Sequence, residues 1–136
     1  MDPQDNVKLG EVLRAVPTGA PEQASLRGAC GRAYYAAFIT ARDLLEAASF
    51  QIDIPNYSEH SRTTTLLQGS IDKSVREAGS KLKSLRKVRN RADYDIGGHT
   101  KEKFGQIAAQ ISLAHASDII ATLKKSAQSN KRLGIP

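Results

Sequence analysis

The stretch that decides the fold is Leu82–Asp95, which reads LKSLRKVRNRADYD. An α-helix turns by about 100° per residue, and over this stretch it has one apolar stripe, formed by Leu82, Leu85, Val88 and Ala92. Six basic residues and no acidic residue lie between Lys81 and Arg91. A helix that is merely solvated mixes charges of both signs. The pattern therefore predicts a core-facing helix whose outer side is suited to an anionic partner.

A polar seam runs along one flank of this predicted helix. Arg89 and Asp93 are four residues apart, so that one lies above the other, and Arg86 and Asn90 extend the same flank. One interpretation is structural, with Asp93 paired to Arg89 or to Arg32 at the edge of the bundle. The other is functional, because a guanidinium presents a fork of donors that fits a phosphate. The sequence alone leaves both open.

The composition of the chain sets broad limits on its function. Its 136 residues suffice for one domain with a real core, and the net charge of +6 favours anionic partners, nucleic acid before membrane. One cysteine and three scattered histidines have no metal-ligand spacing, so we expect neither a metal nor another cofactor. No apolar run resembles a signal peptide or a membrane span. These features predict a cytoplasmic protein without a membrane partner.

Helical periodicity dominates the rest of the sequence. It predicts helices over Glu22–Ser49, over Ser58–Ala78 with a break at Gly79, and over Lys101–Gln128, in addition to the central basic helix. No strand alternation is present. We therefore expect an all-α fold, a bundle of four main helices with a short N-terminal helix.

Three segments follow from the same pattern. Residues 1–20 are predicted to form a short helix and a linker, residues 21–128 the helical bundle, and residues 129–136 a flexible tail.

The long helix carries small or apolar residues on two sides between Gly28 and Ile39. Two faces to bury in so small a chain predict a homodimer. Tyr34 falls on the core stripe and is interpreted as packing, whereas Tyr35, on the opposite side beside Arg32, is a candidate for a site or an interface. His60 is interpreted as a helix-start residue rather than a ligand.

Two motifs point to a family. The run RAYYAAFITA, Arg32–Ala41, and the later run LRKVRNRADYD, with His60 and Ser61 on a helix between them, resemble the HEPN superfamily. The likeness extends from about Ala24 to Leu123. It implies a helical bundle that often dimerises and frequently acts on RNA. Active members are metal-independent endoribonucleases, many of them toxins of two-gene toxin–antitoxin or antiphage systems.

The resemblance also implies site residues. The family's catalytic arginine and the polar residue after it match Arg89 and Asn90, while Asp93 and Tyr94 occupy the neighbourhood in which the family has a histidine. These four are the candidate catalytic residues. The candidate nucleic-acid contacts are Lys83, Arg86, Lys87 and Arg91, and the candidate supporting residues are Arg32 and Tyr35.

Three classes of function compete on these grounds. The first is an RNA-cleaving toxin or defence effector, since cleavage by the RNA's own 2′-hydroxyl needs proton exchange and cations that stabilise the phosphorane. The second is a non-catalytic module that binds RNA or a nucleotide. The third is a partner subunit whose polar seam packs against a nucleotidyltransferase-type antitoxin.

Overall fold

The computed structural model describes residues 20–94 and 106–136, with side chains at residues 28–90 and 109–136. These two ranges contain no strand and form four helices: α1 (Ala20–Ala47), α2 (Glu59–Gln68), α3 (Lys73–Tyr94) and α4 (Gln106–Ser129). The predicted all-α bundle of four main helices is confirmed. The predicted N-terminal helix falls before Ala20, outside the described residues. Within them, no helix has the length and apolarity needed to cross a membrane.

Helix α1 lies at the centre and packs against both α3 and α4. Its alanines Ala33, Ala36 and Ala37 are fully buried, which lets the neighbouring backbones approach closely. The thiol of Cys30 donates to Oγ of Ser112 at 3.5 Å and adds a polar contact between α1 and α4. Part of the apolar character on two sides of α1 is therefore satisfied within a single chain.

Helix α3 divides into the faces that its sequence predicts. Leu82 and Leu85 are buried in the core, and Val88 is half-buried. Lys83 and Lys87 are exposed on the other side. The apolar stripe of α3 thus fixes which basic side chains face solvent.

The predicted helix break at Gly79 is wrong. The chain turns between α2 and α3 at Gly69, whose N–H donates to the carbonyls of Thr65 and Leu66 at 3.1 Å. Helix α3 then begins after Asp72, whose Oδ1 accepts from the N–H of Ser74 at 2.9 Å. A short acidic side chain that accepts from an otherwise unsatisfied N–H is a favourable start for a helix.

Gly79 lies inside α3 and is buried. A Cβ atom at this position would lie 2.9 Å from Cβ of Leu67 on α2. The missing side chain therefore permits close packing of α2 on α3, and the glycine serves helix packing rather than termination.

The last residues pack on the bundle, which the prediction of a flexible tail at 129–136 did not foresee. Leu133 and Ile135 are buried in the core cluster. The hydroxyl of Ser70 donates to the carbonyl of Leu133 at 2.6 Å, and the N–H of Ile71 donates to the carbonyl of Gly134 at 2.9 Å. Two apolar side chains and these hydrogen bonds are sufficient physical reason for a polar segment to dock.

Candidate functional site

A buried hydrogen bond joins two side chains from different helices. The hydroxyl of Tyr34 lies 2.8 Å from Nδ1 of His60. The two residues are 5% and 8% exposed. Tyr34 comes from the middle of α1 and His60 from the first turn of α2. His60 is at a helix start, as predicted, but it is also one partner of a buried polar pair.

The local sequence explains the position of His60. Ser58 caps α2, because its Oγ accepts from the N–H of Ser61 at 3.0 Å. This cap fixes where the helix begins. The buried side of α2 consists of His60, Thr63, Thr64 and Leu67.

The imidazole also belongs to an aromatic cluster, which consists of Tyr34, Phe38 and His60. The Tyr34 and Phe38 rings are stacked with centroids 5.9 Å apart, and the His60 ring lies 5.6 Å from Tyr34 and 6.3 Å from Phe38. The four-residue spacing of Tyr34 and Phe38 places both on one face of α1. Together the three rings form a rigid support between α1 and α2.

Two guanidinium groups lie over this aromatic cluster. Cζ of Arg89 is 5.3 Å from the centroid of the Tyr34 ring, and Cζ of Arg42 is 5.8 Å from that of Phe38. A guanidinium over the face of an aromatic ring is attracted by the electrons of the ring, which restricts where the arginine side chain lies. The guanidinium is also the side-chain group best suited to bidentate hydrogen bonds with a phosphate.

The electrostatics of the pair reflect burial and nearby cations. The pKa of His60 is lowered to about 4, first by burial and then by the charges of Arg86 and Lys83. Burial raises the pKa of Tyr34, and the charges of Arg86 and Arg89 oppose that effect. At neutral pH the imidazole is therefore neutral and the phenol is protonated. Because Arg86 acts on both groups, it lies close to the pair.

Three basic side chains of α3 form no ion pair with an acidic side chain in the described part of the chain. There, the ion pairs join Arg42 to Asp43, Lys73 to Glu77 and Lys81 to Asp118. Lys83, Arg86 and Lys87 belong to none of these pairs. The site therefore combines a neutral imidazole, a phenol and several cations, a set suited to an anion.

The structure brings together only some of the predicted site residues. Arg89 and Arg86 lie at the Tyr34–His60 pair, and Lys83 is close enough to act on His60. Asn90 is half-buried next to Arg89 in the chain. The side chains of Arg91, Asp93 and Tyr94 lie outside the described residues, although α3 extends to Tyr94.

The two predicted supporting residues face solvent. Arg32 is exposed and Tyr35 is 50% exposed, and the ring of Tyr35 is not part of the aromatic cluster. Tyr34, the residue beside it, belongs to the site instead. The two tyrosines are about 100° apart around the helix, so only one of them can face α2.

No three histidine, cysteine or acidic side chains within the described ranges are placed to hold one metal ion. No family model, curated protein or solved structure matches the chain. The contacts described above define the candidate functional site as Tyr34, His60, Arg86 and Arg89, with Lys83 beside them.

Proposed function

We propose that this protein is a cytoplasmic RNA-binding protein of the HEPN type that serves a toxin–antitoxin or antiphage defence system. One observation carries the proposal: basic side chains of α3 converge on a buried Tyr34–His60 pair supplied by two other helices. The motifs RAYYAAF and RNRADYD, which carry the family resemblance, contribute Tyr34 and Arg89 to this one place.

The charges of the site suit a phosphodiester backbone. Lys83 and Lys87 are exposed on α3, and Arg86 is half-buried on the same helix and acts on the charge state of Tyr34. Cations arranged along one helix bind successive phosphates with little regard to base sequence. Arg89, held on the ring of Tyr34, adds an oriented group at the edge of the same surface.

The site also contains groups that cleavage of RNA requires. A guanidinium stabilises the charge of a phosphorane, and the resemblance assigns that part to Arg89 with Asn90, Asp93 and Tyr94. Incubation of the purified protein with RNA in EDTA separates the two forms of the proposal. Products ending in a 2′,3′-cyclic phosphate identify an endoribonuclease, and intact bound RNA identifies a binding module.

We expect the double change Lys83→Gln with Lys87→Gln to weaken RNA binding for all sequences. If each lysine contacts one phosphate, the log–log slope of affinity against salt falls by about 1.4 on single strands, at about 0.7 per contact. Both side chains point away from the core, so circular dichroism should show the parent fold. Fluorescence anisotropy at a series of salt concentrations measures the slope.

The control for this experiment is Lys124→Gln with Lys131→Gln, which removes the same charge from exposed positions elsewhere. It should leave the slope close to that of the parent. Equal slopes for the parent and the Lys83/Lys87 variant contradict RNA binding at α3 and favour the partner-subunit function.

The proposal includes a homodimer and a nucleotidyltransferase-type antitoxin as partners. Tyr35 on α1 and Ile111 on α4 are both 50% exposed, and these two helices pack against each other. Large apolar side chains at the surface are consistent with protein contacts. We expect light scattering at micromolar concentration to give the mass of a dimer, and a strict monomer contradicts this part.

A further inference from the structure

The Tyr34–His60 hydrogen bond uses only one of the two ring nitrogens of the imidazole. Nδ1 lies 2.8 Å from the Tyr34 hydroxyl, and the stacked ring of Phe38 restricts the plane of the imidazole. Nε2 is at the opposite side of a five-membered ring and takes no part in this bond. The pair therefore orients the imidazole without using its second nitrogen.

Cations dominate the surroundings of this imidazole. From α1 it faces the neutral phenol of Tyr34, and from α3 it is under the influence of Arg86 and Lys83. Arg89 lies over the ring of Tyr34, the hydrogen-bond partner of His60. On α2 itself the charged neighbours are Glu59 and Arg62, and Nε of Arg62 donates to the carbonyl of Gln51.

An anion at Arg86 and Lys83 changes this balance. A phosphodiester keeps its negative charge over the whole pH range in which proteins are folded. Bound beside these two side chains, it offsets the charges that repel a proton from His60 and attracts an imidazolium directly. Proton binding at His60 and phosphodiester binding at the cations must then favour each other, because linkage is reciprocal.

We infer that His60 is part of the phosphodiester-binding site and takes up a proton when RNA binds. This inference rests on the proposed function. An imidazolium has an N–H donor at both ring nitrogens, so Nδ1–H donates to the hydroxyl oxygen of Tyr34 and Nε2–H donates to the bound phosphate. His60 is thus a binding residue contributed by α2, next to those that α3 supplies.

Proton uptake at His60 makes the affinity for RNA depend on pH. The complex binds more protons than the free protein, so the affinity for RNA rises as the pH falls, by at most about tenfold per pH unit for one proton. The rise occurs between the pKa of His60 in the complex and its lower pKa in the free protein. At pH 8 neither state binds the proton and the coupling disappears.

Calorimetry on the full chain tests the inference. An RNA oligonucleotide without a terminal phosphate is titrated into the protein at pH 5.5 in buffers of different ionisation enthalpy. The parent should take up a fraction of one proton per RNA bound. His60→Asn keeps an amide that can hydrogen-bond with the Tyr34 hydroxyl in either direction but cannot titrate, and it should abolish the uptake while binding persists at pH 8. His115→Asn, at a half-buried histidine of α4, should retain the uptake.

Every outcome bears on the inference. RNA binding by the parent without proton uptake overturns it and leaves the proposed function standing, whereas no RNA binding at any pH refutes the proposed function itself. Uptake that persists in His60→Asn assigns the proton to another group and also overturns the inference. If His60→Asn does not fold, the imidazole signals of the parent in NMR titrations decide: the pKa of His60 must be higher with RNA than without it.

Discussion

Replacing Leu133 with alanine is expected to lower the free energy of unfolding by about 2–5 kcal/mol. Leu133 is fully buried in the core although it lies three residues from the last residue of the sequence. Its truncation leaves a cavity and weakens the docking of a segment held by two hydrogen bonds, from Ser70 and from Ile71. Urea denaturation, followed by circular dichroism, measures the loss.

Ile71→Ala is the matched control, since Ile71 is 78% exposed beside the same segment. It should change the stability by no more than about 0.5 kcal/mol. A Leu133→Ala protein as stable as this control contradicts the docking of the last residues, and restores the expectation of a flexible tail.

The second large effect is a dependence of stability on pH. Burial first, then Arg86 and Lys83, lower the pKa of His60 to about 4, whereas an unfolded histidine titrates near its ordinary value of about 6.5. Between these values the unfolded chain binds a proton that the folded chain excludes. The contribution of His60 to the free energy of unfolding is therefore fully present well above pH 6.5. It is lost as the pH falls, by up to about 3 kcal/mol at pH 4.

Carboxylates also titrate in acid, so the contribution of His60 must be isolated by difference. Urea unfolding of the parent and of His60→Asn should give stability curves that converge as the pH falls from 6.5 to 4. Parallel curves for the parent and His60→Asn mean that His60 is not shielded from protons in the folded state.

The helices were predictable because their signals are local. The stripe that contains Leu82 and Leu85 can be recognised from spacing alone, and both side chains are buried as that stripe requires. The break between α2 and α3 was misplaced because a glycine has two uses. Gly79 suggested termination by its conformational freedom, but its small volume is what the packing against Leu67 requires. Sequence spacing does not distinguish these uses.

The candidate functional site was only half predictable for a related reason. The basic residues of α3 lie within one short stretch of the sequence, and their uniform sign identified Lys83 and Arg86 without a structure. The Tyr34–His60 pair spans 26 residues and two helices, and neither residue alone is distinguishable from packing or from a helix start. Its one advance signal was the place of His60 between the two motif helices.

Gly79 sets the distance between two helices and thereby links a remote position to the chemistry of the site. The helix that would have to yield to any larger residue there, α2, carries Leu67 at one end and His60 at the other. A rigid helix of 10 residues transmits a displacement along its whole length. We therefore expect a larger residue at position 79 to displace α2, and with it the imidazole of His60 relative to Tyr34 on α1. Residue 79 thus sets the spacing of α2 and α3 at a position outside the candidate functional site.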